Sequence, residues 1–349
     1  MDKELFGRMP DGTPVGLFTV KAGKIEAQFT AFGAGIVSLR VPDRADSLAD
    51  IVLGYSDLVG YVQNHGSKAP FFLGSSIGRY ANRIAHARFS LDGKQYELSK
   101  NNGEHSLHGG PGGFYNVLWD AEPAENGVAF HYLSKDGEEG FPGNLKTTVR
   151  YTLTPDELKI EYVASSDKIT VLNLTNHAYF NLLGPERGTI LSHHLKLFAS
   201  RFTPVDSGLI PTGELRAVAG TPLDFRQSMA IGARINADDE QLRLGHGYDH
   251  NYVLDDGSAN LKPAAELHEP ATGRLLEMWT TQPAIQFYSG NFLDGSARGK
   301  SGILYAKHTG LCLETQHFPD SPNHPEFPST ALHPGETFRS ATVLKFGVR

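Results

Sequence analysis

The chain has 349 residues, 40% of them hydrophobic and 20% charged, with 38 glycines, 20 prolines, a formal net charge of −7 and a pI near 6.1. That length can bury a sizeable core as one large domain or two smaller ones, and the surplus of turn formers favours strands over helices. An acidic balance without any run of Lys or Arg argues against nucleic acid and anionic lipid as partners, and Cys312, the only cysteine, rules out an intramolecular disulfide or a Cys-based zinc cage within one chain.

The start, "MDKELFGRMPDG", has no apolar h-region and nowhere do eighteen apolar residues run together, so a cytoplasmic protein without membrane contact is expected. Along the chain, alternation with period two recurs and 3.6-residue periodicity is scarce. Ile25, Ala27 and Phe29 alternate with Glu26, Gln28 and Thr30. Phe89 and Leu91 before Asp92-Gly93, with Tyr96 and Leu98 after it, predict a hairpin whose turn needs positive φ. The loop "EHSLHGGPGGF" (104–114) sets His105 and His108 beside four glycines, where the backbone should approach something closely. It lacks Gly-Lys-Ser/Thr and is no phosphate loop. Val149, Tyr151 and Leu153 face Leu158, Ile160 and Tyr162 across "TPDE" in a second hairpin. The one helical stretch, Ser228 to Gly245, contains Gly232 and predicts one or two short helices. Residues 318–336 read as a long ordered loop. With no repeat and no convincing linker, the expected architecture is all-β: a large antiparallel β-sandwich of two twisted sheets in a single domain, 1–349, with a few short helices.

Three stretches carry candidate chemistry. If "TVLNLTNHAYFNLL" (170–183) is a strand, Leu172, Leu174, Ala178, Phe180 and Leu182 share one face and Asn173, Thr175, His177, Tyr179 and Asn181 the other. A solvated sheet face is the ordinary reading of such a row, but solvated faces favour Lys and Glu. Short or stiff uncharged groups with fixed hydrogen-bond directions suit a neutral ligand covered in hydroxyls, such as a sugar. In "GLCLETQHF" (310–318) Cys312, Glu314 and Gln316 alternate with Leu311 and Leu313. A carboxylate so placed is either an ordinary exposed or paired Glu or, near the core, a base with a raised pKa. "TTQPAIQFYSGNF" (280–292) repeats the pattern, with Gln286 and Tyr288 opposite Ile285 and Phe287. No histidine cluster has metal-ligand spacing, and no metal is expected. A rival reading takes "GSSIG" (74–78) as a nucleophile elbow around Ser76 and "HGGPGG" as an oxyanion loop; the order of the two motifs and the missing β/α alternation count against that esterase.

Six blocks, "GRYANRI" (78–84), "HSLHGG" (105–110), "NLTNHAYFNL" (173–182), "GYDHNYVL" (247–254), "TTQPAIQFYSGNF" (280–292) and "CLETQHFPDSPN" (312–323), stand in an order that resembles the aldose 1-epimerase, or galactose mutarotase, family over most of the chain. The resemblance implies a galactose mutarotase-like β-supersandwich that interconverts the α and β anomers of a free hexose without a cofactor. It implies Glu314 as the base for the C1 hydroxyl, His177 as the acid for the ring oxygen, and His108 as a further contact on the ring side. Asn82, Arg83, Asp249 and Gln286 match sugar-hydroxyl ligands, with Tyr179 as another contact. Ala178 and Tyr80 depart from the family's usual residues, which bears on substrate preference. Read without the family, Arg83 fits a buried ion pair better than a ligand. A non-catalytic sugar-binding or sensing module is the alternative to an enzyme, a monomer or homodimer is expected, and a hexose 6-phosphate substrate would need basic partners beyond Arg83.

Overall fold

The alternation seen in the sequence becomes burial. Leu145–Leu153 buries Leu145, Thr147, Val149, Tyr151 and Leu153 on one face, and Glu157–Ser166 answers with Leu158, Ile160, Tyr162 and Ala164. The two strands pair antiparallel from Leu145↔Ser166 to Leu153↔Leu158, which is the second predicted hairpin. The first is also present: Arg88–Leu91 pairs with Lys94–Glu97, and Asp92 (φ 51°) and Gly93 (φ 73°) make the two-residue turn whose twist suits the flanking strands.

The structure, a computed structural model, describes all residues from Met1 to Arg349. It is all-β with antiparallel sheets and only two α-helices. Three large sheets are present where two were expected. A nine-stranded sheet runs, edge to edge, through Asp120–Ala124, Gly127–Ser134, Leu145–Leu153, Glu157–Ser166, Phe338–Val348, Arg274–Thr280, Lys262–His268, His194–Leu197 and Met229–Ala230. Nine twisted strands are too many for one partner to cover. One end packs beneath the five-stranded N-terminal sheet, where Phe29 stacks on Tyr151 with ring centroids 4.5 Å apart and Phe18 meets Phe130 edge-on at 5.7 Å. Its middle packs beneath a six-stranded sheet in the order Tyr179–Phe180, Leu311–Gln316, Ala284–Tyr288, Asp249–Leu254, Ala199–Thr203 and Arg216–Ala217. No helix is long and apolar enough to cross a membrane.

Helices are the least anticipated elements. Leu58–His65 is an α-helix capped by the Asp57 carboxylate, which accepts from Gly60 N–H, and closed by Gly66; Gly60 and the β-branched Val59 and Val62 hid it from the sequence. Of the stretch 228–245 only Glu240–Gly245 is α-helical, capped by Asp239. Its first part instead adds Met229–Ala230 to the nine-stranded sheet and makes a 3₁₀ turn at Ile231–Ala233. The 318–336 loop holds one 3₁₀ turn, Ser321–Asn323, and a short pairing at Ala331–Leu332.

Burial pushes His65 and His250 down to about 3, and His177, His193 and His317 to about 4, from an ordinary 6.5. In the unfolded chain these rings take a proton near 6.5. Their contribution is therefore complete above that value and is lost as pH falls from it toward 3 to 4. Glu314, Asp249 and Asp320, all raised by burial, act in the opposite sense and offset part of the loss. A ring lowered this far from 6.5 loses on the order of 2 kcal/mol by about pH 5. Urea unfolding at that pH should show a lower midpoint than near pH 7, and an unchanged or higher midpoint would contradict it.

Candidate active site

Strand Leu311–Gln316 presents two unlike faces. Leu311, Leu313 and Thr315 point into the sandwich, where Thr315 Oγ1 lies 2.6 Å from Thr342 Oγ1 of the nine-stranded sheet, so Cys312, Glu314 and Gln316 point outward. Gln286 stands directly opposite Glu314, Asn251 opposite Gln286, and Asp249 opposite Tyr288. The polar faces read from separate strands thus form one surface. Its Tyr179, Glu314, Tyr288 and Asp249 floor a cavity of about 1570 Å³ walled by residues 65–72, 101–105, 107, 108 and 207–209.

Of the eight predicted site residues, His108, His177, Glu314, Asn82, Arg83, Tyr179 and Asp249 line this cavity. Gln286 stands beside them on the same face: its Nε2 donates to the lining Asp249 Oδ1 at 2.7 Å, and its Oε1 has no partner in the protein. The row 173–181 is corrected. It is not one strand, because Thr170–Val171, Thr175–Asn176 and Tyr179–Phe180 pair with three different partners. Asn173 accepts from His317 N–H at 2.8 Å and donates to the Ala81 and His317 carbonyls, and Asn181 donates to those of Gly188 and Thr309. These amides serve backbone groups that such short pairings leave open. Of the five polar residues, only His177 and Tyr179 face the cavity.

His177 Nε2 lies 3.8 Å from Glu314 Oε1, and Glu314 Oε2 has no partner in the protein. Burial pushes the Glu314 carboxyl well above the usual range, the nearby Asp249 charge adds to that, and Arg83 opposes it. Burial pulls His177 to about 4, well below the ordinary histidine value expected from the sequence. The His108 imidazole is driven well down by burial, then by His177 and Arg83; the Asp249 carboxyl is raised by burial against the pull of Arg83 and Gln286. Arg83 Nε donates to Asn102 Oδ1 at 3.0 Å, and no carboxylate lies within 4.0 Å of its guanidinium, so the ion-pair alternative does not hold.

The two histidines differ at Nδ1. Asn82, in the left-handed region at φ 64°, sends its backbone N–H to His108 Nδ1 at 3.1 Å while His108 N–H returns to the Asn82 carbonyl. Neutral His108 must then carry its proton on Nε2 and act as a donor. His108, His177 and Glu314 have candidate ligand atoms within 4.8 Å of one another, but a cation held by His108 Nε2 would have to displace that proton and turn Nδ1–H against an amide N–H. The donor set does not suit a metal.

A family model described as Aldose 1-epimerase matches residues 16–345. The chain belongs to the aldose 1-epimerase family. Members of this family are isomerases that interconvert sugar anomers. The chain is 45% identical to galactose mutarotase from Rattus norvegicus over 347 residues, 99% of this chain and 98% of that one. It is 42% identical to aldose 1-epimerase from Escherichia coli over 344 residues, 97% and 96% of the two chains. Among solved structures, an aldose epimerase homologue from C. elegans superposes with a TM-score of 0.87 at 30% identity, covering 96% of this chain and 99% of that one. Galactose 1-epimerase from Lactobacillus acidophilus does so at 0.85 and 27%, covering 99% and 98%.

In this epimerase-family chain the esterase motifs have other uses. Ser76 Oγ, buried, meets the Ala34 carbonyl and the hydroxyls of Tyr151 and Tyr162 rather than a histidine. The glycine loop approaches the protein itself: at Gly109 (φ 86°) a Cβ would stand 2.0 Å from the Gly78 carbonyl oxygen. The sequence reading passed over two contributors. Phe72 packs against both site histidines, at 4.7 Å from the His108 ring and 5.5 Å from that of His177, and Asn102 steers Arg83. An aromatic in a loop looks like core, and an Asn before a Gly looks like a turn, so neither left a usable signal.

Proposed function

We propose that this chain interconverts the α and β anomers of free aldohexoses such as glucose and galactose, with Glu314 as base, His177 as acid and His108 as a fixed donor beside the ring oxygen. The observation that carries this reading is the facing pair: an imidazole Nε2 and a carboxylate oxygen 3.8 Å apart at the floor of an open polar cavity. Because burial lifts the carboxyl and lowers the imidazole, the pair holds one proton between their two titrations. One group that gives and one that takes is what ring opening requires.

In the working form the proton is on His177, and the positive charge of Arg83 favours the Glu314 carboxylate. Glu314 takes the O1 proton, His177 Nε2 gives its proton to O5, the C1–O5 bond breaks, and O1 becomes the aldehyde oxygen. Rotation about C1–C2 presents the other face. On closure O5 attacks C1, its proton returns to His177, and Glu314 returns one to O1. Each transfer by a positioned acid or base is worth about 10²- to 10⁴-fold. Asn82, Arg83, Asp249, Gln286 and Tyr179 hold the remaining hydroxyls, Gln286 with its Nε2 on Asp249 and its Oε1 unpartnered in the protein. The whole chain serves as one domain, a reading supported by the family match over 16–345 and by a core cluster that runs from Val15 to Leu344.

Polarimetry on freshly dissolved α-glucose and α-galactose tests the function, with a panel of other aldoses and hexose 6-phosphates setting its range. A wild-type trace no faster than buffer would leave the sugar-binding module instead. Arg83→Met should raise KM about tenfold or more while kcat changes less, since a charge-assisted hydrogen bond to a hydroxyl is lost. An unchanged KM would remove Arg83 from the sugar.

A further inference from the structure

Cys312 shares the outward strand face of Glu314, buried among residues that line the cavity, and the chemistry above makes no use of it. It is opposite Tyr179 on one neighbouring strand and Tyr288 on the other, two positions before Glu314, and fully buried. Its Sγ lies 3.5 Å from His177 Nδ1, the side chain that faces that nitrogen. The two site histidines therefore differ in what faces Nδ1. His108 meets an amide N–H, which can only donate, whereas His177 meets a thiol, which accepts and donates weakly.

We infer that Cys312 is a positioning residue for the proton exchange: its Sγ accepts the Nδ1–H of His177 while Nε2 gives up and regains the proton used at the ring oxygen. The inference rests on the acid role of His177. Once Nε2 has delivered its proton, the neutral ring can recover it only if the lone pair stays on Nε2, so the remaining proton must sit on Nδ1 and meet an acceptor. An amide N–H in that place, as at His108, would force the remaining proton onto Nε2 and leave a ring able to lend a hydrogen bond but not to take a proton back. The sulfur removes that restriction.

A thiol also differs from the carboxylate that often backs a catalytic histidine. A carboxylate would stabilise the imidazolium and make it a poorer acid, while neutral sulfur, a weak acceptor, orients the ring without holding its proton. Burial lifts the Cys312 thiol well above its usual range, which keeps it uncharged. The other groups facing His177 leave it that freedom. His65 and His108 are neutral rings, the Tyr179 phenol is pushed well up by burial, Phe72 is apolar, and Glu314 is the partner in the exchange.

The test combines ¹⁵N NMR of histidine-labelled protein with polarimetric kinetics on wild type, Cys312→Ala and Cys312→Ser. Wild-type His177 should show its neutral-ring proton on Nδ1. Cys312→Ala should shift the ring toward the Nε2–H tautomer and lower kcat about five- to tenfold with KM unchanged, the usual consequence of losing one neutral hydrogen bond in the transition state. Cys312→Ser, a firmer acceptor of similar size, should restore the tautomer and most of kcat and move the acidic limb of the pH profile upward. An Nε2–H tautomer in wild-type protein, or a Cys312→Ala enzyme with wild-type kcat, pH profile and tautomer, would reduce Cys312 to packing. The wild-type spectrum decides the contact even if the alanine variant fails to fold. If wild-type protein does not mutarotate sugar at all, the acid role of His177 falls and the inference with it, whatever the tautomer.

Discussion

Glu314→Gln leaves a folded protein that still takes up sugar and no longer speeds its mutarotation. Glutamine matches the shape of glutamate, and Glu314 Oε2 makes no hydrogen bond within the protein that the change would break. A buried carboxyl near Asp249 is replaced by a group without charge, which relieves repulsion and leaves Arg83 beside Asp249. What disappears is the capacity to accept the O1 proton, so kcat should fall by about 10²- to 10⁴-fold while sugar affinity changes little. Polarimetry gives the rate, and calorimetric titration with galactose together with thermal unfolding shows that site and fold survive. Near-normal mutarotation by this variant would take Glu314 out of the base role.

His177→Asn should be comparably damaging, again by about 10²-fold or more in kcat with KM little changed. His108 is close, its ring centroid 5.1 Å from that of His177, but it cannot take over because the Asn82 amide commits its Nδ1 and leaves a permanent Nε2–H. The pH profile carries independent information. Wild-type activity should fall on acidification as the pair takes up a second proton, near the value of about 4 to which burial pulls His177, and fall again in alkali as Glu314 loses the shared proton. His177→Asn should abolish the acidic limb of whatever activity is left. If that variant turns over normally and His108→Asn does not, the acid has been assigned to the wrong ring.

Much of the fold was legible because a half-buried antiparallel strand writes its own period. The hairpins around Asp92-Gly93 and across residues 154–157, and the opposed faces of Ala284–Tyr288 and Leu311–Gln316, are visible residue by residue. The stretch 170–183 misled for a physical reason. Alternation in a segment buried on both sides says nothing about which polar groups face a cavity, and here Asn173 and Asn181 spend their amides on the backbone. Gln286 was placed on the correct face, but only the folded chain shows its lateral bond to Asp249.

By itself the sequence determined the local terms: where strands run, which side chains share a face, and that the polar set is uncharged apart from a few carboxylates and one arginine. Tertiary structure alone decided that Phe338–Val348 inserts between Glu157–Ser166 and Arg274–Thr280, that three sheets share the core, and that Glu314 and His177, 137 positions apart, meet. It also decided the proton positions on the two histidines, through an amide 26 residues before one and a thiol 135 residues after the other. Strand period and side-chain chemistry act over a few residues and can be read in order along the chain. Desolvation, sheet pairing and the partner of a ring nitrogen depend on groups brought together from distant positions, which no local pattern encodes.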